Sequence, residues 1–450
     1  MLLKKINSYI GSRITTAQTL ILGYFLFILF GSFLLMLPIS IDSDETLSFV
    51  DSIFTTTSAI SGTGLIVEDT GTYFSLFGQA VILILIQVGN VGYMIFFALA
   101  VVIFSGKLSL FNKLILKESI SHSKLELKQF VFKVIKYTLV IEAVAAAMLV
   151  IYWMEDMTFG ESLRQGIFHS VSAFCTAGFS LNSDNLMGYR NDYFVNAVII
   201  AASYAGCIGF FVVYDLSSFT KSSFKKIRYR LSTHSRLVLW VSLSIIVIGT
   251  VLIYFVENII SHTGEASTLL ESFFQSASAS TSVGFNTVDI SKLERSSLLG
   301  IVIEMFIGAS PSGTGGGIKT TVFLIMCLSL FTFIRDRKNV NVMSRSIHPA
   351  TIARAFSISL LALFWLLFTT MFLNITEEQQ FISLLFEASS ALGNNGLSTG
   401  ITSSISTPGK IILSLTMLIG RVGPLIVGYT LLGRQKAVNY SYPEGNILIV

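Results

Sequence analysis

Residues Phe54–Leu65 read FTTTSAISGTGL, and the chain repeats their skeleton three more times. It returns as FHSVSAFCTAGF (Phe168–Phe179), FQSASASTSVGF (Phe274–Phe285) and FEASSALGNNGL (Phe386–Leu397). Every copy has Phe at its first position, Ser-Ala at the fifth and sixth, and Gly at the eleventh, followed by Phe or Leu. The glycines are Gly64, Gly178, Gly284 and Gly396, which sets a period of about 110 residues. Agreement of four residue types in four registers marks an internal fourfold repeat.

Hydrophobic residues make up 52% of the 450 and charged residues 12%. A soluble fold of this size has no surface for so much apolar area and so few charges to cover it, so the composition reads as a polytopic membrane protein. The apolar run Ala17–Leu37 is long for a signal peptide and no small-residue cleavage site follows, which predicts an uncleaved first membrane helix. Cys175, Cys207 and Cys327 show no metal-like spacing and imply neither a disulfide framework nor a zinc site.

Around the repeated stretches lie eight hydrophobic segments long enough to span a bilayer. They run approximately Ala17–Leu37, Phe74–Phe104, Phe130–Trp153, Tyr193–Phe219, Leu237–Val256, Leu298–Ile334, Thr351–Leu373 and Ile411–Leu432. Each repeated stretch sits inside a pair of them. It is too short and too polar to cross a membrane, and it reads as a re-entrant half-helix followed by an extended return. Irregular backbone at membrane depth must line water or be buried in protein. The four units divide the chain at 1–120, 121–230, 231–345 and 346–450, the last carrying the C-terminal tail.

Most of the 30 Lys and Arg fall at the termini and in the segments joining one unit to the next. The positive-inside rule places those segments and both termini in the cytoplasm, with the repeated stretches opening outward. The outer segments are acidic, with Asp51, Glu68 and Asp69 among others, which suits either a cation-concentrating vestibule or ordinary solvated loops.

Four half-helices converging on one axis would aim the negative ends of their dipoles at a common centre, which favours a cation. The residues that follow are Ser61-Gly62-Thr63-Gly64, Cys175-Thr176-Ala177-Gly178, Thr281-Ser282-Val283-Gly284 and Gly393-Asn394-Asn395-Gly396. They include no carboxylate, His or Lys, which a multivalent or transition metal would want. Backbone carbonyls with a few hydroxyls and amides suit a desolvated monovalent cation that must also leave. A lone glycine here is an ordinary helix C-cap; four in one register predict a pore lining.

At Gly308-Ala309-Ser310-Pro311-Ser312-Gly313-Thr314-Gly315-Gly316-Gly317 the second helix of unit three must break, because five glycines and a proline cannot propagate it. At membrane depth this is either a flexible plug or a substrate-site break of the kind found in secondary transporters. The stretch ends in Ile318-Lys319-Thr320, but it lacks the spacing and preceding strand of a phosphate-binding loop. Arg421 stands in an apolar segment, where an arginine is functional or paired; Glu304 and Glu142 are the candidate partners. Gly89 and Gly92, Gly206 and Gly209, and Gly420 and Gly423 form GxxG pairs that predict close helix packing. The histidines form no nucleophile–base arrangement, and no enzyme signature is present.

These residues identify a resemblance. The motifs SGTGL with EDTG, SAFCTAGFSLNSDNL, SVGFN, FIGASPSGTGGGIKT, MLIGRVGP and YPEG, spread over nearly the whole chain, resemble the membrane subunit of Ktr-type potassium uptake systems in the Trk/Ktr/HKT superfamily. The resemblance implies an all-α polytopic membrane protein of four M1–pore-loop–M2 repeats, with eight transmembrane helices and four re-entrant half-helices around a central pore. It implies a potassium filter, since a filter glycine rather than serine in the first repeat goes with potassium. It implies that 308–317, with Lys319, is an intramembrane gating loop and Arg421 its constriction partner. It further implies a homodimer in a bacterial cytoplasmic membrane, with a cytoplasmic nucleotide-binding RCK ring that carries ATP or ADP, and sodium as an activator. No cofactor in this chain and no nucleic-acid partner are expected.

Overall fold

The structure is a computed structural model, and it describes residues 16–42, 46–92, 127–224, 229–260, 267–337 and 339–423. The apolar continuations over 93–104 and 424–432, the basic segment 107–126, both termini and the YPEG motif lie outside the described residues.

The described chain is almost entirely helical. Each unit contributes a leading helix, a short helix and a trailing helix. In unit one these are α1 (Thr16–Leu35), α2 (Phe49–Ser61) and α3 (Leu76–Gln87). Unit two has α4 (Leu127–Trp153), α5 (Phe159–Phe174) and a trailing pair, α6 (Tyr193–Cys207) and α7 (Phe210–Phe224). Unit three has α8 (Thr233–Phe255), α9 (Leu269–Thr281), α10 (Arg295–Ile307) and α11 (Thr320–Ile334). Unit four has α12 (Pro349–Thr376), α13 (Phe381–Gly393) and α14 (Thr407–Val422). A two-residue hairpin pairs Asn341–Val342 with Arg345–Ser346.

Among the described residues three helices are long and apolar enough to cross a membrane: Phe132–Trp153, Thr233–Ile260 and Pro349–Thr376. A fourth arises if α6 and α7 count as one span bent by 103°. The other apolar segments form shorter helices, and the trailing helices are short because each loses its α-helical course at a matching place. In unit one α3 passes into a π-helical turn at Val88–Gly92. In unit two the chain turns at Gly209, with φ +90°. Unit three breaks at Gly308, and α14 ends at Gly423, with φ +94°.

The short helices of units one and three start on side-chain caps. Ser48 Oγ accepts from Asp51 N at 3.1 Å, and Thr268 forms a reciprocal capping box with Glu271. Each short helix packs between its own leading and trailing helices. Each trailing helix also packs on the short helix of the next unit: α3 on α5, α6 on α9, α10 on α13, and α14 back on α2. That cycle closes the four units into a ring. Two ion pairs reinforce it. Lys410 at the start of α14 meets Asp51 of α2 at 2.6 Å, and Arg190 meets Glu271 of α9 at 2.7 Å. Asp51, read from sequence as part of an acidic outer face, is therefore a stitch between units.

Phe54, Phe274 and Phe386 are fully buried and Phe168 nearly so, as are Ala59, Ala173, Ala279 and Ala391. The repeated Phe and Ala are thus packing residues, the small Ala allowing close approach. Phe54→Leu is expected to lower the thermal stability of the purified protein by about 1 kcal/mol while leaving ion preference unchanged. A melting curve beside a flux assay checks both halves.

Candidate functional site

The four repeated stretches end alike. In each, the N–H of the residue two before the shared glycine bonds back to the alanine carbonyl of Ser-Ala, and the next N–H bonds to the serine carbonyl. Thr63 N reaches Ser58 O at 2.8 Å, Ala177 N Ser172 O at 2.8 Å, Val283 N Ser278 O at 3.1 Å and Asn395 N Ser390 O at 2.9 Å. This is the Schellman ending of a helix, four times over. It demands a left-handed residue, and that residue is Gly62 (φ +66°), Thr176 (+52°), Ser282 (+59°) and Asn394 (+46°). Only unit one spends a glycine there. Sequence reading found the shared glycine and missed this second left-handed position, because three different side chains occupy it.

The shared glycines are left-handed too: Gly64 +90°, Gly178 +68°, Gly284 +80° and Gly396 +97°. Their surroundings form a closed cycle. A Cβ on Gly64 would meet the carbonyl oxygen of Ala177; on Gly178, that of Val283; on Gly284, that of Asn395; on Gly396, that of Thr63. Four strands therefore abut edge to edge around one centre, each glycine against the next unit's carbonyl. A side chain at any of them collides with that ring.

The serine of Ser-Ala does more than pack. Ser58 Oγ accepts from Gly64 N at 3.0 Å and Ser390 Oγ from Gly396 N at 3.0 Å. Ser172 Oγ donates to Phe179 O at 2.8 Å and Ser278 Oγ to Phe285 O at 2.6 Å. One hydroxyl per unit fastens the strand to its helix. In unit four, Asn394 Nδ2 also donates to Thr63 Oγ1 at 2.9 Å, and Asn395 Nδ2 to Ala279 O at 2.8 Å. These two amides tie unit four to both neighbours. Ser390→Ala leaves the Gly396 N–H without its partner, and a several-fold loss of ion discrimination is expected in a two-cation flux assay.

Behind this ring the first glycine of each GxxG pair lies against a short helix's last turn. A Cβ on Gly89 would meet Ile60 O, on Gly206 Phe174 O, and on Gly420 Leu392 O. That is close packing, as the spacing predicts. Gly209 and Gly423 depart from it: they are the left-handed residues at which the trailing helices turn or stop.

The glycine-rich break of unit three runs from Gly308 through Lys319 before α11 begins, with Gly308, Ser312, Gly317 and Lys319 at positive φ. It is held on several sides. Ala309 N donates to Gly316 O at 3.0 Å, Ser310 N to Cys207 O at 3.2 Å, and Phe210 N to Ser312 O at 3.2 Å. Lys319 Nζ donates to Gly315 O at 2.6 Å and Gly316 O at 3.2 Å, so the lysine braces its own loop. A Cβ on Gly315 would stand 3.0 Å from Thr281 O, and one on Gly316 would stand 2.5 Å from Gly393 O. The loop thus lies directly against the ends of the short helices of units three and four.

Arg421 occupies the last turn of α14, nearer the helix end than its place in the apolar segment suggests. Its guanidinium donates to Thr314 O of the loop, and to Gly89 O and Asn90 O of the unit-one turn at 3.2 and 3.3 Å. The two carboxylates weighed as its partners are engaged elsewhere. Glu304 accepts from Ser276 Oγ at 2.7 Å, and Glu142 from Gln87 Nε2 at 3.0 Å. Arg421 therefore links loop and trailing helix through carbonyl oxygens, which leave its charge uncompensated at those contacts.

His169, inside α5, is held between Gln165 O at 2.9 Å and Ser180 Oγ at 3.0 Å. Among the described residues no three His, Cys, Asp or Glu side chains gather as metal ligands.

Comparison with known proteins agrees with this architecture. The family model for TrkH, described as a cation transport protein, matches residues 14–436. The chain is 35% identical over 441 residues to the Ktr system potassium uptake protein B of Bacillus subtilis, covering 97% of each chain. It is 34% identical over 437 residues to the protein of that name from Vibrio alginolyticus, covering 96% of this chain and 94% of the relative. Its fold is similar to the crystal structure of the potassium transporter TrkH from Vibrio parahaemolyticus, with a TM-score of 0.68 at 19% identity, over 91% of this chain and 84% of that one. The chain belongs to the TrkH family of cation transport proteins.

Proposed function

We propose that this chain takes up potassium across the cytoplasmic membrane of a bacterium through a single channel-like pore. The observation that carries the reading is the closed cycle of glycines and carbonyl oxygens at Gly64, Gly178, Gly284 and Gly396. A ring of neutral carbonyls replaces the hydration shell of a monovalent cation and binds it weakly enough to release it. The filter comprises Ser61–Gly64, Cys175–Gly178, Thr281–Gly284 and Gly393–Gly396. The similarity to Ktr system potassium uptake proteins supports potassium as the ion.

The gate is the loop Gly308–Gly317 with Lys319, seated under the filter and latched by Arg421. The membrane potential drives entry, and four parallel units round one axis favour this over a two-site symport cycle. Both termini face the cytoplasm. The chain works as a homodimer beneath which a nucleotide-binding RCK ring sets the gate, with ATP or ADP in that ring and sodium as an activator.

Reconstitution of the purified chain in liposomes tests the reading. Potassium flux should follow the imposed voltage, exceed sodium flux and ignore a proton gradient. Strict one-to-one coupling to protons would overturn the pore.

A further inference from the structure

The second residue of each repeated stretch, directly after the shared Phe, is Thr55, His169, Gln275 or Glu387. All four are buried. Three of them reach across to the strand that returns from the shared glycine. His169 Nε2 pairs with Ser180 Oγ at 3.0 Å, and Gln275 Nε2 donates to Thr287 Oγ1 at 3.2 Å. Glu387 Oε1 accepts from Ser398 Oγ at 2.6 Å and Thr399 N at 3.0 Å, and its Oε2 accepts from Thr402 Oγ1 at 2.8 Å. In each case the first partner stands two or three residues past Gly178, Gly284 or Gly396. Thr55 is the exception. Its Oγ1 has no partner among the described residues, and Leu65, Ile66 and Val67 bring it no polar side chain. Leu65 and Val67 pack instead in one apolar cluster with Phe54.

We infer that the side chain at this position is a strut in units two, three and four, a positioning residue that fixes how far the carbonyl ring can spread. The inference rests on the filter reading above. The serine of Ser-Ala fastens each strand to its half-helix at the shared glycine or the residue after it. One such bond leaves a strand free to pivot; a second, two or three residues past the glycine, fixes its direction as well. None of these bonds involves the loop 308–317, so withdrawal of the loop breaks none of them. They act on the filter as it conducts.

Gln275→Met and Thr287→Val each keep the side chain's size and remove the same hydrogen bond. In liposomes holding the full chain, either should lower the potassium-to-sodium permeability ratio by about threefold, within the roughly tenfold that one hydrogen bond is worth. The double variant should fall no further, because one bond is lost only once. Thr55→Val, at the matching position with no bond to lose, should keep the wild-type ratio. A purely structural role would lower yield and total flux and leave the ratio alone, since the ratio is read only on molecules that conduct. An unchanged ratio in both single variants, losses that multiply in the double, or a Thr55→Val loss equal to that of Gln275→Met would overturn the struts. Should the unit-three variants not fold, Glu387→Gln against Glu387→Leu carries the comparison. The amide oxygen can still accept from Thr399 N and should hold the ratio, whereas leucine cannot; equal losses would assign the effect to charge and overturn the strut. A wild-type protein that passes sodium as well as potassium overturns the filter reading instead, and is seen before any variant is made.

Discussion

Gly64→Ser is expected to cut the preference for potassium over sodium by about tenfold while leaving the protein able to pass cations. Gly64 sits at φ +90°, where an L-residue is strained by about 1–3 kcal/mol. The added Cβ points at the carbonyl oxygen of Ala177 in the next unit. Strain and collision act together, and the strand relieves both by rotating or by parting from unit two. Either movement opens the carbonyl ring. Under the proposed filter, potassium relies on that ring to replace its hydration and so loses more than sodium does. At about 1.4 kcal/mol per decade the strain alone accounts for a tenfold change. Gly160→Ala is the control, since nothing stands within 4 Å of a Cβ there. Competition between the two ions for uptake is the measurement, and a Gly64→Ser protein with wild-type preference would remove the ring from the account.

Arg421→Ala is expected to raise potassium flux by about an order of magnitude at equal expression. Two causes have the same sign. The guanidinium bonds Thr314 O of the loop together with Gly89 O and Asn90 O, so its loss frees the loop from both trailing helices it bridges. Hydrogen bonds to a charged donor are worth about 1.5–3 kcal/mol each, enough to shift a gate by tenfold. Under the proposed pore, the substitution also removes a positive charge that would repel a cation passing below the ring. Arg421→Lys keeps the charge and loses the fork, so it separates the causes. A lysine protein as closed as wild type assigns the barrier to charge; one as open as alanine assigns it to the latch. Unchanged flux in Arg421→Ala would remove the residue from the gate.

Much of this was legible in FTTTSAISGTGL and its three copies, because the four shared glycines sit at left-handed positions that other residues pay strain to occupy. The break at Gly308–Gly317 was equally legible, since five glycines and a proline leave a helix no course. What stayed hidden depends on contacts between distant residues. The left-handed Thr176, Ser282 and Asn394 share no side chain, so no pattern marked them. Thr314 bonds to residues 174, 176, 206 and 421, which spacing cannot bring together. Gly209 and Gly423 read as packing glycines because GxxG looks the same whether a helix continues or ends. Asp51 read as one of an acidic outer face until its partner, Lys410, came from another unit.

Diffraction from crystals grown in rubidium or thallium tests the central claim most directly, because either ion stands in for potassium and marks its own position. The ring predicts an anomalous peak on the axis enclosed by the carbonyl oxygens of Thr63, Ala177, Val283 and Asn395. A map with no peak inside that ring, and with the ion bound elsewhere in the chain, would contradict it.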